Sequence, residues 1–351
     1  MTEPAASAAP SSPPPGRRSP RALALLAVKI VVTLGLLGWL LRSIALRDGM
    51  DELVARATDV AWPAMAGAVA LHFVAVLSGV LRWRVLLAGR GIRLPFAVLV
   101  RSFLVGRFLG AFTPSTTGLD GYRLVDVARR TGDTGAAAAT IAVEKLIGLV
   151  GMASVCLALL PFGLAERLGA SAIVIALGMA GVAALGLFVM ASPRTAEHLV
   201  RFAPRPIRAR VDKIAEALLG GGLHARSLLP ALALGIVSHL ALSGTFAASG
   251  LAFHVPASVP TLLSVGNAIV IAVLLPVSIG GVGVREGVAV ALLAGAGVDT
   301  SEAVLLALGS WLTGQVPALL GGLALLLPDG ATAEKKTPTA PPLGAADATA
   351  P

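Results

Sequence analysis

The chain is short of what a soluble protein needs. Charged residues make up 13% of its 351 positions, against roughly 25% in soluble domains. A water-soluble fold of that length would need far more polar surface to cover its core. Aromatics are scarce at 4%, with a single tyrosine. There is one cysteine, Cys156, which excludes a disulfide-stapled secreted scaffold. Acids are outnumbered, 19 against 28 Lys and Arg, for a formal charge of +9. In a chain this apolar the excess reports membrane topology and anionic lipid before nucleic acid. What is plentiful is hydrophobic residue, 56%, with 40 glycines spread through the apolar stretches. The composition predicts an all-α polytopic membrane protein.

Residues 1–20 and 329–351 are rich in Ala, Ser, Thr and Pro and read as disordered cytoplasmic tails around a membrane domain over 21–328. Ala22–Leu41, preceded by Arg17, Arg18 and Arg21 and followed by Arg42, reads as an uncleaved signal anchor. A bilayer core takes about 20 apolar residues per helix. Ala61–Leu81, Ala136–Leu160, Ser171–Ala191, Leu228–Leu251 and Ala303–Leu327 also meet that length, for six spans. Basic residues place Arg82–Arg93 and the basic segment 194–226 in the cytoplasm. Pro161–Ala170 and Phe253–Pro260, with almost no Lys or Arg, fall outside. Both termini then lie on the cytoplasmic side of the cytoplasmic membrane.

Two apolar stretches break midway. Pro95–Phe112 stops at Pro114 and Gly118 and resumes as a polar helix ending at Arg129–Arg130. Thr261–Leu275 stops at Pro276 and Gly280–Gly283 and resumes over Val284–Gly295. Broken backbone at membrane depth is tolerated only where protein or a watery cavity satisfies it. Flanking charge makes the first a re-entrant hairpin from inside and the second one from outside. Both breaks, 114–123 and 276–285, read P-x-x-x-G-x-x-G-x-R, and each leads through an Asp-Thr turn into a full span. That is the pattern of an inverted repeat whose site lies where the breaks meet.

Charges inside apolar segments cost about 2.5–3.5 kcal/mol each on insertion scales, so they mark function. Those singled out are Arg101, Arg107, Asp120, Arg123, Glu144, Arg285 and Glu286, beside the turn residues Pro114, Gly118, Gly280 and Gly283. Asp120, Arg123 and Asp126 share one helix face. Arg123 and Arg285 hold equivalent repeat positions and could converge. Arg forks beside glycine turns and half-helix N-termini suit a phosphate or phosphodiester head group. The competing account has the charges pairing only with one another, Arg123 with Asp120 or Asp126 and Arg285 with Glu144. His72 and His239 lack a nearby second ligand, so no metal and no cofactor is expected. Val211–Leu219 reads either as an amphipathic helix on the inner leaflet or as a packing helix.

At these residues the chain resembles the flippase-like family, the integral-membrane part of lysylphosphatidylglycerol synthases. The likeness rests on Arg82-Trp83-Arg84, Val105-Gly106-Arg107-Phe108-Leu109, the Pro114–Arg123 turn, Glu144–Leu149 and above all Pro276–Gly287. The family's first turn usually carries two adjacent glycines and its later pair is Glu-Arg; here they are Gly118-Leu119 and Glu144-Lys145. The resemblance implies a lipid translocator acting on an anionic phospholipid or polyprenyl-phosphate-linked lipid. The alternative is a non-transporting membrane subunit that recruits a lipid-modifying or glycosyl-transfer enzyme. The family's synthases add a cytosolic acyltransferase domain, and without one no enzymatic activity is expected. Membrane lipid is the expected partner, with an enzyme partner or a homo-oligomer left open and nucleic acid excluded.

Overall fold

The computed structural model describes residues 50–327 except 112, 114–116, 202–203, 221–222, 275–277 and 279, and in addition 31, 34, 35, 38 and 42. The two tails, most of the candidate span Ala22–Leu41, Pro114 and Pro276 lie outside the described residues. The described residues form helices and no strand. In chain order they are α1 (Met50–Thr58), α2 (Trp62–Gly89), α3 (Phe96–Ala111), α4 (Thr117–Thr131), α5 (Thr134–Gly163), α6 (Ala165–Leu168) and α7 (Ala170–Ala191). There follow α8 (Pro193–Val200), α9 (Arg205–Leu219), α10 (Ala225–Ala252), α11 (Val259–Leu274), α12 (Val284–Leu293), a 3-10 turn and α13 (Thr300–Leu326). Five of them, α2, α5, α7, α10 and α13, are long and apolar enough to cross a membrane. These are the five described stretches that apolar length had marked, in an all-α multi-pass membrane protein.

Local sequence explains where the long helices start and stop. Asp133 caps α5 by accepting from the Ala136 N–H at 2.8 Å, and Asp299 precedes α13, its own N–H donating to Glu302 Oε2 at 3.0 Å. The two Asp-Thr turns are therefore helix N-caps. α2 and α10 end on the same reversed turn: Ile92 N–H donates to the Leu87 carbonyl and Val255 N–H to the Gly250 carbonyl, both at 2.9 Å. The left-handed residue in that turn is Gly91 (φ 77°) in one case and His254 (φ 54°) in the other.

The packing has an internal correspondence. Helices α2, α3, α4 and α5 hold 28, 16, 15 and 30 residues; α10, α11, α12 and α13 hold 28, 16, 10 and 27. α2 packs on α10, α3 on α13, and α11 on α5. Within each set of four, the first helix packs on its second and fourth, and the third packs on both neighbours. Exchanging the two sets leaves this pattern of neighbours unchanged. α7 stands apart, packed on α5 and with most of its surface uncovered.

Two expectations are corrected. Arg82–Arg93 is not a loop from its first residue: α2 continues to Gly89, with Arg82 half-buried inside it, where Glu144 of α5 supplies a counter-charge. The helix expected over Val211–Leu219 runs from Arg205, and its apolar stripe is not left for lipid. Val211, Ala215 and Leu218 are buried, and Val211 and Leu218 share a cluster with Leu146 and Ile147 of α5. The packing-helix alternative describes it.

Candidate functional site

The site grows from the first break. α4 folds back on α3, and the approach is close because α3 presents glycine there. A Cβ on Gly106 would sit 2.9 Å from both Leu119 Cδ1 and the Leu119 carbonyl oxygen. Leu119 therefore fits into space left by Gly106 on the facing helix. One turn further on, α4 turns Arg123 inward, where it is 2% exposed.

Arg123 lies between two rings, with its guanidinium carbon 4.7 Å from the Trp83 centroid and 4.9 Å from that of Phe103. Its Nη2 donates to Asp120 Oδ1 at 3.0 Å and to Glu144 Oε2 at 2.9 Å. Glu144, buried in α5, takes a second cation on its other oxygen: Arg82 Nη2 at 3.0 Å. Asp120 is likewise shared, with Lys145 Nζ at 2.5 Å. Several donors stay over. Arg123 Nε and Nη1, Arg82 Nε and Nη1, and Trp83 Nε1 are buried without a hydrogen-bond partner among the described residues. All five are N–H donors, so what the cluster lacks is an acceptor. A buried unsatisfied donor costs about 1–3 kcal/mol, and an anionic oxygen is the group that would relieve several at once.

The second break is built differently. Gly280, Gly281 and Gly283 adopt φ of 62°, 77° and 80°, positive values that favour glycine. Arg285 turns back to donate from Nη2 to the Gly280 carbonyl at 2.7 Å, and its guanidinium carbon lies 5.8 Å from the Trp311 centroid. Glu286 accepts from the Gly283 N–H at 2.7 Å and so caps α12. Arg285 therefore does not pair with Glu144, as the charge-pairing account expected. Its acceptor, the Gly280 carbonyl, is five residues away in sequence, and Glu144 is already held by two arginines. Arg123 pairs with Asp120 and not with Asp126, whose Oδ1 accepts from Arg130 Nε at 3.0 Å.

The remaining candidates separate from this cluster. Arg101 donates to the Ala324 and Leu327 carbonyls, at 3.3 and 3.2 Å, at the C-terminal end of α13. Arg107 Nη2 lies 3.0 Å from His72 Nε2, and Gly314 leaves room for that imidazole: a Cβ there would be 2.7 Å from His72 Cε1. Gly118 donates its N–H to Thr113 Oγ1 at 3.0 Å and closes the first turn. Arg123 and Arg285 share no partner. Sequence reasoning missed Arg82, Trp83 and Phe103 as members of the site. The signal for two of them was present in Arg82-Trp83-Arg84, which had served to place a loop and to mark the family resemblance without entering the site.

No curated protein matches the chain. Residues 26–322 match the family described as the lysylphosphatidylglycerol synthase TM region. That match spans most of the chain and includes both breaks, Arg82, Arg123, Glu144 and Arg285. The chain belongs to the lysylphosphatidylglycerol synthase transmembrane-region family.

Proposed function

We propose that the chain is a lipid translocator of the cytoplasmic membrane, moving an anionic phospholipid or a polyprenyl-phosphate-linked lipid between leaflets and catalysing no reaction of its own. In this reading Ala22–Leu41 is the first of six spans and both termini are cytoplasmic. The α3/α4 and α11/α12 pairs are re-entrant hairpins of an inverted repeat. The observation that carries it is the cluster of unpartnered donors around Arg123 and Arg82, buried at a break in a membrane helix. A scaffold has no use for several guanidinium N–H groups held from water with no acceptor, whereas a phosphate head group supplies the missing oxygens.

The repeat supports the reading through a pair of matched positions. Arg82 and Thr245 each lie 20 residues beyond the first residue of their helices, Trp62 and Ala225. Glu144 and Ser310 each lie 10 residues beyond Thr134 and Thr300. Where the first set of helices joins Arg82 to Glu144, the second joins Thr245 Oγ1 to Ser310 Oγ at 2.8 Å. The same inter-helix contact is charged in one half and neutral in the other. Phosphate is then recognised at this contact in the first half, and the matching contact of the second half carries no charge.

The test is purified full-length chain in liposomes carrying a fluorescent anionic phospholipid or polyprenyl-phosphate probe in one leaflet. Probe movement faster than in protein-free vesicles is expected for at least one of the two. No acceleration with either would leave the recruiting-subunit alternative.

A further inference from the structure

Arg107 is a guanidinium without a carboxylate. Among the described residues its one hydrogen-bond partner is His72, with Nη2 3.0 Å from the imidazole Nε2, while its Nε is buried with no partner. Arginine keeps its proton and has no acceptor atom, so Nη2 is the donor and Nε2 carries the lone pair. The proton of His72 then sits on Nδ1, 3.4 Å from Thr313 Oγ1, whose own hydroxyl donates to the Ser310 carbonyl at 2.7 Å. The arginine thus fixes the direction of the whole chain. His72 is neutral, in one tautomer.

The fold does not need polar groups at this crossing. His72 and Gly235 each lie 10 residues beyond the first residue of α2 and α10, Thr313 and Ile147 each 13 beyond that of α13 and α5, and Arg107 and Val270 each 11 beyond that of α3 and α11. The counterpart of His72 on Thr313 is therefore Gly235 on Ile147, where a Cβ would lie 3.1 Å from Ile147 Cγ2. One half closes the crossing with apolar residues, the other with a charge, an imidazole and a hydroxyl, at a cost that marks function. Arg107 also stands one helical turn beyond Phe103, the ring that lies against Arg123. No other charge among the described residues bears on His72. Of the helices packed on α2, α13 offers it Thr313 and Gly314, and Glu302 of that helix pairs with Arg56. Glu144 of α5 is held by Arg82 and Arg123, and His239 of α10 lies against Gly148 of α5.

We propose that His72 is a proton-binding site that releases Arg107 to the lipid head group, so that one proton and one anionic lipid are carried together. A proton on Nε2 removes the acceptor of Arg107 and sets two cations at hydrogen-bond distance. The contact between α2 and α3 then opens, and the freed fork turns to a phosphate oxygen beside the Arg123 cluster. The proton comes from water, resides on Nε2 while the head group is bound, and returns to water when it departs. The phosphate half of this inference rests on the translocator reading; the proton half rests on the His72 contacts alone.

The experiment uses the full-length chain in phosphatidylcholine nanodiscs and reads the two halves separately. Binding of a fluorescent phosphatidylglycerol, whose phosphodiester keeps its charge, is measured at about pH 7.5 and 5.5. The bound state holds one more proton, so affinity rises as pH falls: a rise of about tenfold is expected, and none in His72→Gln, which still accepts from Arg107 but takes no proton. Without the probe, Arg107 opposes the proton, so hydrogen exchange of α3 is compared at about pH 4. Exchange should be faster in the unaltered protein than in His72→Gln; comparison at one pH cancels the intrinsic pH dependence. Arg107→Gln, which removes the second cation, should behave like His72→Gln and serves if that variant does not fold. An affinity independent of pH, the same pH dependence in either variant, or equal exchange in all three proteins would overturn the proposal. No probe binding at either pH, with α3 still loosened by acid, would count against the translocator reading and for the proton site.

Discussion

Removing Arg123 should cost less than removing half of an isolated buried ion pair. Breaking such a pair typically costs about 3–5 kcal/mol, because the partner is left as an uncompensated buried charge. In Arg123→Ala neither carboxylate is abandoned: Glu144 keeps Arg82 at 3.0 Å and Asp120 keeps Lys145. What goes is the pair of ring contacts with Trp83 and Phe103, about 0.5–2 kcal/mol each, and two hydrogen bonds from a guanidinium whose burial was itself costly. A net loss of about 2 kcal/mol is expected. Arg82→Ala/Arg123→Ala is a different matter, since Glu144 is then buried with no cation. Its cost should exceed the sum of the single variants by about 1–3 kcal/mol, within the range for residues that share a partner. Adding Glu144→Gln to the double variant should recover most of that excess. The assay is reversible unfolding in mixed micelles, followed by tryptophan fluorescence, on both single variants, the double and the triple. Strict additivity of the two arginines, or no rescue by Glu144→Gln, would refute the shared-carboxylate geometry.

Other outcomes follow from the same contacts. Arg101→Ala should fray the end of α13, since it removes the donors to the Ala324 and Leu327 carbonyls; faster hydrogen exchange there and a cost of about 1 kcal/mol are expected. Gly321→Ala should be severe, because an added Cβ would meet the Leu104 carbonyl where α13 crosses α3; overpacking of this kind costs about 1–3 kcal/mol or more, read as lost thermal stability. Glu286→Ala should cost about 0.5–2 kcal/mol by uncapping α12, while Glu286→Gln, which still accepts from the Gly283 N–H, should cost less. With Cys156 replaced, a cysteine at 298 should label only from outside and one at 115 only from inside; the opposite sidedness at either would contradict the inverted arrangement.

The long helices were legible because apolar length is a local property, and so were the breaks, where Pro and Gly interrupt it. The Asp-Thr turns were read as a repeated feature, and their N-cap geometry explains why the same dipeptide opens both α5 and α13. The site was only half legible. Arg123 and Glu144 stand out as charges in apolar stretches, but their pairing depends on how α4 leans on α5. Arg82 was hidden because an arginine near the end of a span looks like a loop marker, and its carboxylate partner is 62 residues away. Arg285 misled for the opposite reason: its nearest acceptor is backbone, which no charge pattern reveals. Asn267 gave no signal at all, being one amide in an apolar run. Only its packing shows that none of the described residues satisfies it.

The central claim is that the Arg123 fork handles a lipid head group during movement between leaflets. The most direct measurement is the initial rate of transbilayer movement of an anionic phospholipid by Arg123→Lys against the unaltered chain, at equal amounts of folded protein in liposomes. Lysine keeps the charge but loses the planar fork and its fit between Trp83 and Phe103. The account predicts a fall of about tenfold or more, the equivalent of about 1.4 kcal/mol. An unchanged rate would contradict it.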